Sequence, residues 1–154
     1  MEDNETLLTK LEREKIELQK EKEQLQHANE VLRRLASAVD QSADNVVITD
    51  RNGIIEYVNP AFEKLTGFTK DEVIGKTPRI LKSGKYDQKY YKNLWQTILS
   101  GKSFRFQFIN RKKNGELYYT EETITPIKDI AGNITHFVST GKDITQNKLA
   151  EEAL

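Results

Sequence analysis

Asn110 closes a run in which Phe104, Phe106 and Phe108 alternate with Arg105 and Gln107. Alternation of period two marks a half-buried strand, so the run puts three aromatic rings and one amide on a shared inward face. An amide carries both a donor and an acceptor. On an otherwise apolar face it meets the polar edge of a ligand, or it takes a local partner or water. Upstream, Tyr90, Tyr91, Leu94, Trp95, Ile98 and Leu99 repeat at helical spacing, which makes Trp95 in its plainest reading a helix-core aromatic. Other chemistry is thin. The chain has no Cys, which excludes disulfides, thiolate metal sites and cysteine nucleophiles. Glu121 and Glu122 are neighbours on a strand and therefore alternate faces, so they form no acid–base dyad. Nucleophile elbows, phosphate-cradling loops and metal-ligand clusters are missing from the sequence. The expectation is a non-enzymatic segment, with any catalytic output domain beyond Leu154.

Composition bounds the partners. Of 154 residues, 24 are Lys or Arg and 24 are Asp or Glu, for a net charge of zero. That balance argues against nucleic acid, whose binders concentrate basic charge on one face. Apolar runs stay well short of the ~20 residues of a membrane span, and MEDNETLLTKLEREK lacks the apolar core of a signal peptide. A cytoplasmic segment without membrane contact is expected.

The elements that would position Trp95 and Asn110 begin with residues 1–43, rich in Glu, Lys, Gln and Leu and free of Gly and Pro. Leu11, Leu18, Leu25, Leu32 and Val39 recur every seven residues, one seam of a coiled coil. The companion seam, Leu8, Lys15, Lys22, Asn29 and Ala36, is weak, which favours a parallel dimer over larger bundles. A solvated single helix is the alternative. Around Val31, Leu32, Leu35, Ala36 and Val39 the apolar face widens, where the helix should meet a globular domain.

That domain is organised around Asn45 to Thr66. Two Val/Ile-rich strands, 45–50 and 54–59, flank the turn residues Asp50-Arg51-Asn52-Gly53. Asn59 then caps a short helix with Pro60 at its first position and Gly67 past its end. Thr69 and Glu72 form a capping box for a second helix, with Phe68 stapling onto Val73. Thr77 to Lys85 allows one helical turn at most, and Asp87 caps a longer helix through Leu99. Three strands follow, one running from Ser103 through Asn110, then 117–127 and 134–141, the first pair joined at Asn114-Gly115. Asp143-Ile144-Thr145 caps a last helix, KLAEEAL. Two strands, a cluster of short helices and three more strands make an α+β domain with an antiparallel five-stranded sheet and helices gathered on one face.

From about Leu35 to Thr145 the chain resembles a PAS sensor domain of the kind linked to histidine kinases and diguanylate cyclases. The stretches that carry the resemblance are ITDRNGIIEYVNPAFEKLTGFTKDEVIGKTPRIL, NRKKNGELYYTEETITPIKDIAGNITHFV and GKDIT, in that order. It implies the PAS fold with sheet order 2-1-5-4-3, and a division into a leading helix (1–43), the PAS domain (44–143) and the start of an output helix (144–154). It also implies a homodimer that relays a conformational change to a C-terminal effector domain. Asp143 and Thr145 stand where the family couples its last strand to the exiting helix. A plain dimerisation scaffold is the competing reading.

The resemblance further places a ligand pocket between helices and sheet. Blue-light members of the family use a cysteine there, and this chain has none. Haem needs an axial ligand, usually His. His27 falls in the leading helix and His136 on the last strand, away from the helix that usually carries that ligand. FAD is the sharper candidate, because LWQTILSGKSF and INRKKNGELY are similar to the FAD-binding PAS domains of nitrogen-fixation redox sensors. Carried over by position, Trp95 would flank the isoalloxazine ring and Asn110 would hydrogen-bond its pyrimidine edge. Two departures bear on this. Pro78 replaces an acidic residue, and Phe104 and Phe106 replace a tryptophan and a small residue, so three phenylalanines compete for the pocket.

Overall fold

In the computed structural model, which describes residues 3–154, the strands order as β2-β1-β5-β4-β3 with every neighbouring pair antiparallel. The strands are β1 (Asn45–Asp50), β2 (Ile55–Val58), β3 (Phe104–Arg111), β4 (Leu117–Lys128) and β5 (Ile134–Asp143). Between β2 and β3 run α2 (Pro60–Thr66), α3 (Lys70–Val73), a 3-10 turn (Pro78–Leu81) and α4 (Gln88–Leu99). The long helix α1 (Asn4–Gln41) precedes the sheet and α5 (Thr145–Ala153) follows it. This is the five-stranded antiparallel α+β arrangement that the sequence predicts.

The described residues divide into two compact units between Ala38 and Val39. In the first, α1 buries no residue, and Leu11, Leu18, Leu25 and Leu32 are each more than half exposed. In the second, two apolar clusters make the core. One joins Val47, Ile55, Val58, Phe62, Val73 and Leu81, with Phe68 packed against it. The other joins Leu94, Ile98, Phe108 and Phe137, with Tyr86, Tyr90, Trp95, Phe104 and Phe106 around them.

Local signals set the frame. Asn59 Oδ1 accepts from the backbone N–H of Phe62 at 3.1 Å, capping α2 as expected, and also from that of Val46 at 2.9 Å. Its Nδ2 donates to the carbonyls of Val39 and Asp44 at 3.1 and 2.9 Å. One side chain thus ties the end of α1, the start of β1 and α2 together. Thr69 and Glu72 make both bonds of the capping box, and Asp87 caps α4 through the Tyr90 N–H at 2.9 Å. Tyr57 of β2 donates to Asp40 at the end of α1, and its partial burial, then the carboxylate, pushes the phenol up to about 12.

Two sequence expectations shift, at Leu99 and at the N-cap of α5. Leu99 is exposed, because the 100° step from buried Ile98 carries it off the inward face. The β3–β4 hairpin forms at Asn114-Gly115 as expected, with Gly115 left-handed and the Asn114 side chain accepting from the Glu116 N–H at 2.9 Å. The N-cap of α5 is Ile144, with Asp143 one residue before it.

Candidate functional site: a cavity at the seam of the two core clusters

Both clusters line one cavity of about 310 Å³: Val47, Ile55, Phe62 and Leu81 from the first, Leu94, Trp95, Ile98, Phe108 and Phe137 from the second. That volume falls at the low end of the ~300–1,000 Å³ common for small-molecule sites. Phe104 and Phe106 do not fill it. They turn onto Tyr90 of α4, with centroids at 6.3 and 5.4 Å, while Tyr86 stacks on Tyr90 at 4.4 Å. An aromatic block beside the cavity results, and of the three phenylalanines Phe108 alone reaches the lining.

Trp95 lines the cavity from α4 and packs edge-on against Phe137, centroids 5.9 Å apart. The β1–β2 turn closes on its ring. Gly53 sits at φ +84, and a Cβ there would stand 3.0 Å from Trp95 Cη2, so conformation and contact both demand glycine. Asn110 lines the cavity from β3 with its amide beside the Tyr118 hydroxyl of β4. Tyr118 is 2% exposed. Burial first, then the charge of Glu122, pushes its phenol well above the usual range, although the bond with Asn110 pulls the other way. The structure therefore brings Trp95 and Asn110 to one space. Arg79, Lys82 and Lys92 border it from the helical side, with Lys82 Nζ 4.0 Å from the centre of the Tyr91 ring.

Strand parity also brings further residues to the cavity. Tyr118, Thr120, Glu122 and Ile124 share the inward face of β4, and Glu122 and Ser139 line the cavity. Ser139 Oγ donates to Glu122 Oε2 at 3.1 Å. The surface that Glu122 keeps opens onto the cavity, and burial there holds its carboxyl above the usual carboxylate range. Alternation alone would have found it, because Glu121 faces outward to Arg105 at 2.6 Å. His136 lies on the other face of β5, its Nε2 3.1 Å from Glu56 Oε2, and His27 is exposed on α1.

At the far end of β5, Thr145 joins three elements. Its backbone N–H donates to Asp143 Oδ1 at 3.0 Å and its hydroxyl donates to the same oxygen at 2.6 Å. The hydroxyl oxygen accepts from the Tyr119 N–H of β4 at 3.0 Å. The Ile144 N–H donates to the Tyr119 carbonyl at 2.9 Å. The first turn of α5 is thereby pinned to β4 one residue from Tyr118.

A family described as the PAS fold matches residues 33–144. The chain belongs to the PAS fold family. This PAS chain is 32% identical over 116 residues to a nitrogen fixation regulatory protein of Klebsiella oxytoca, spanning 75% of the chain and 23% of that relative. It is 36% identical over 91 residues to a blue-light-activated histidine kinase of Brucella canis, covering 59% of the chain and 19% of the kinase. Among solved structures it resembles an RNA-binding light-oxygen-voltage receptor at a TM-score of 0.69 and 26% identity, covering 73% of this chain and 32% of that one. The chain thus spans less than a third of each of these proteins. Sensory signalling is the role of such PAS modules. Among the described residues no helix is long and apolar enough to cross a membrane, and no cluster of His, Asp and Glu suits a metal ion.

Proposed function

We propose that this PAS chain is the sensing and transmission module of a larger signalling protein, a histidine kinase or diguanylate cyclase, with an effector domain after α5. Two copies pair through Leu11, Leu18, Leu25, Leu32 and Val39 of α1, and the cavity passes its state to α5. The attachment of Thr145 to Tyr119 and Asp143 carries this reading, because Tyr118, next in β4, faces the cavity. A change of cavity contents that shifts β4 or β5 displaces the first turn of α5. Hydrogen exchange across 145–153 tests it. Ser139→Leu should alter that exchange, and Thr145→Val should uncouple the two. Exchange in α5 that ignores the cavity would leave a plain dimerisation scaffold. Leu25→Asp with Leu32→Asp should give monomers in sedimentation, and a dimer there would remove α1 as the interface.

One observation favours FAD as the cavity's ligand: Trp95 and Asn110 line the same space, which the phenylalanines leave open. Trp95 would flank the isoalloxazine ring, Asn110 would meet its pyrimidine edge, and Arg79, Lys82 and Lys92 would face the phosphates. The volume suits the ring system and not the whole dinucleotide. A bound flavin supplies reversible redox chemistry and blue-light absorption, the latter in keeping with the name of the Brucella relative. The test is the visible spectrum of protein purified from a flavin-replete host. A structured flavin band that Asn110→Ala weakens supports the assignment. A sample still colourless after reconstitution with FAD rejects it and leaves the transmission reading standing.

A further inference from the structure

Glu122 is the one acidic side chain lining the cavity among the described residues, and neither reading above uses it. In register it lies between Phe106 of β3 and Gly141 of β5. A Cβ on Gly141 would stand 2.7 Å from Glu122 Cγ, 2.9 Å from Glu122 Oε1 and 2.8 Å from Asn45 Nδ2. The missing side chain at Gly141 is what lets the carboxyl lie across the strand next to the Asn45 amide. Asn45, 4% exposed, donates through Nδ2 to the Gly141 carbonyl at 3.1 Å. Asn45 opens β1 and Gly141 stands two residues before the end of β5. The pair therefore spans the sheet where one strand follows α1 in sequence and the other leads to α5.

The charges around Glu122 leave it without a counter-ion. From β4 Tyr118 faces it, from α4 Tyr90, from β3 Phe106, from β5 Ser139 and Gly141, and from β1 Asn45. Both phenols are pushed up, mainly by burial, and stay neutral. Arg79, Lys82 and Lys92 border the cavity, yet among the described residues none forms an ion pair with Glu122. A carboxyl largely withdrawn from water and without a cation holds its proton more tightly than a free one. The neutral acid offers an O–H donor, whereas the carboxylate only accepts. Losing the proton therefore reverses what this site asks of its neighbours.

We propose that Glu122 is a proton-binding site whose occupancy sets the hydrogen bonding of the Asn45–Gly141 seam. With the proton in place, the Asn45 amide stays on the Gly141 carbonyl. When the proton leaves to solvent, the carboxylate draws that amide to itself, and β1 and β5 loosen where they join the helical segments. The device works with or without a flavin in the cavity.

The experiment is NMR on the full chain, with carbon-13 in the glutamate carboxyls and nitrogen-15 throughout, from about pH 5 to about pH 9. One carboxyl should titrate clearly above the other glutamates. The Asn45 side-chain amide and the Gly141 N–H should shift with the same midpoint, and all three changes should vanish in Glu122→Gln. The proposal is overturned if no glutamate titrates late, if Asn45 and Gly141 stay still while one does, or if their shifts persist in Glu122→Gln. Should that variant fail to fold, the wild-type titration still decides, because the two reporters either follow the late carboxyl or do not.

Discussion

Around Asn59 every polar atom of the side chain has a partner: two N–H groups reach its oxygen, and its own amide reaches two carbonyls. Around Glu122 the accounting is open. Its carboxyl faces a cavity, and the nearby hydroxyl Tyr90 Oη is buried without a hydrogen-bond partner among the described residues. The first region holds the ends of α1, β1 and α2 in one geometry. In the second, a ligand or a proton can change which bonds form. Stability and responsiveness thus fall to two different side chains that meet at the start of β1, as expected when the switching element must be the less satisfied one.

Replacing Asn59 should have the largest effect. Asn59→Ala removes four hydrogen bonds of a fully buried side chain. The Phe62 N–H keeps the Asn59 carbonyl and the Val39 carbonyl keeps the Ser42 N–H. The cost, about 1–3 kcal/mol for each group left unpaired, therefore falls chiefly on the Val46 N–H and the Asp44 carbonyl. Chemical denaturation should show a loss above about 3 kcal/mol; a loss under about 1 kcal/mol would erase the contrast between the two regions.

Gly141→Ala should cost less, about 1–3 kcal/mol, from overpacking against Glu122 and Asn45. Combined with Glu122→Ala, part of that loss should return, giving a coupling above about 0.5 kcal/mol in a double-mutant cycle. Additive losses would mean that Gly141 does not crowd Glu122.

Glu122→Gln sharpens the comparison through pH. Below the ordinary carboxyl value of about 4.3, Glu122 is neutral both folded and unfolded, and the raised carboxyl costs nothing. As pH rises past that value, the unfolded wild type ionises while the folded one keeps its proton. Wild-type stability therefore falls with pH until the folded carboxyl ionises as well, and the glutamine variant lacks this slope. Thermal melts should show the variant gaining on wild type from acid to neutral pH. Parallel curves would contradict the burial of this carboxyl.

Arg105→Ala should do least. Its ion pair with Glu121 is 2.6 Å long, but the two side chains are 71% and 38% exposed. The loss should stay within about 1 kcal/mol and shrink with salt, although Glu121 adjoins Glu122 in the chain.

The contrast also explains what could be read without coordinates. The Asn59 cap, the Thr69–Glu72 box and the Phe104–Phe106–Phe108 alternation are local signals, complete within a few residues. The other bonds of Asn59 were illegible, since Val39, Asp44 and Val46 meet it only after the chain doubles back. For Glu122 half the answer was present. Alternation separated it from Glu121, but inward on a strand does not say whether the space ahead is packed or hollow. The phenylalanines erred the other way: three large rings suggested a filled pocket, and Tyr90 drew two of them aside.

By itself the sequence determined the order of elements, the inward and outward faces of the strands and most of the caps, because these depend on backbone preference and on periods of two and 3.6 residues. Only the tertiary structure decided that the two core clusters leave a cavity between them, that Trp95, Asn110 and Glu122 share it, and that Thr145 hangs from Tyr119. Those facts depend on how side-chain volumes from distant segments fit together. No local pattern encodes that fit, since a cavity is the difference between the space enclosed and the space filled.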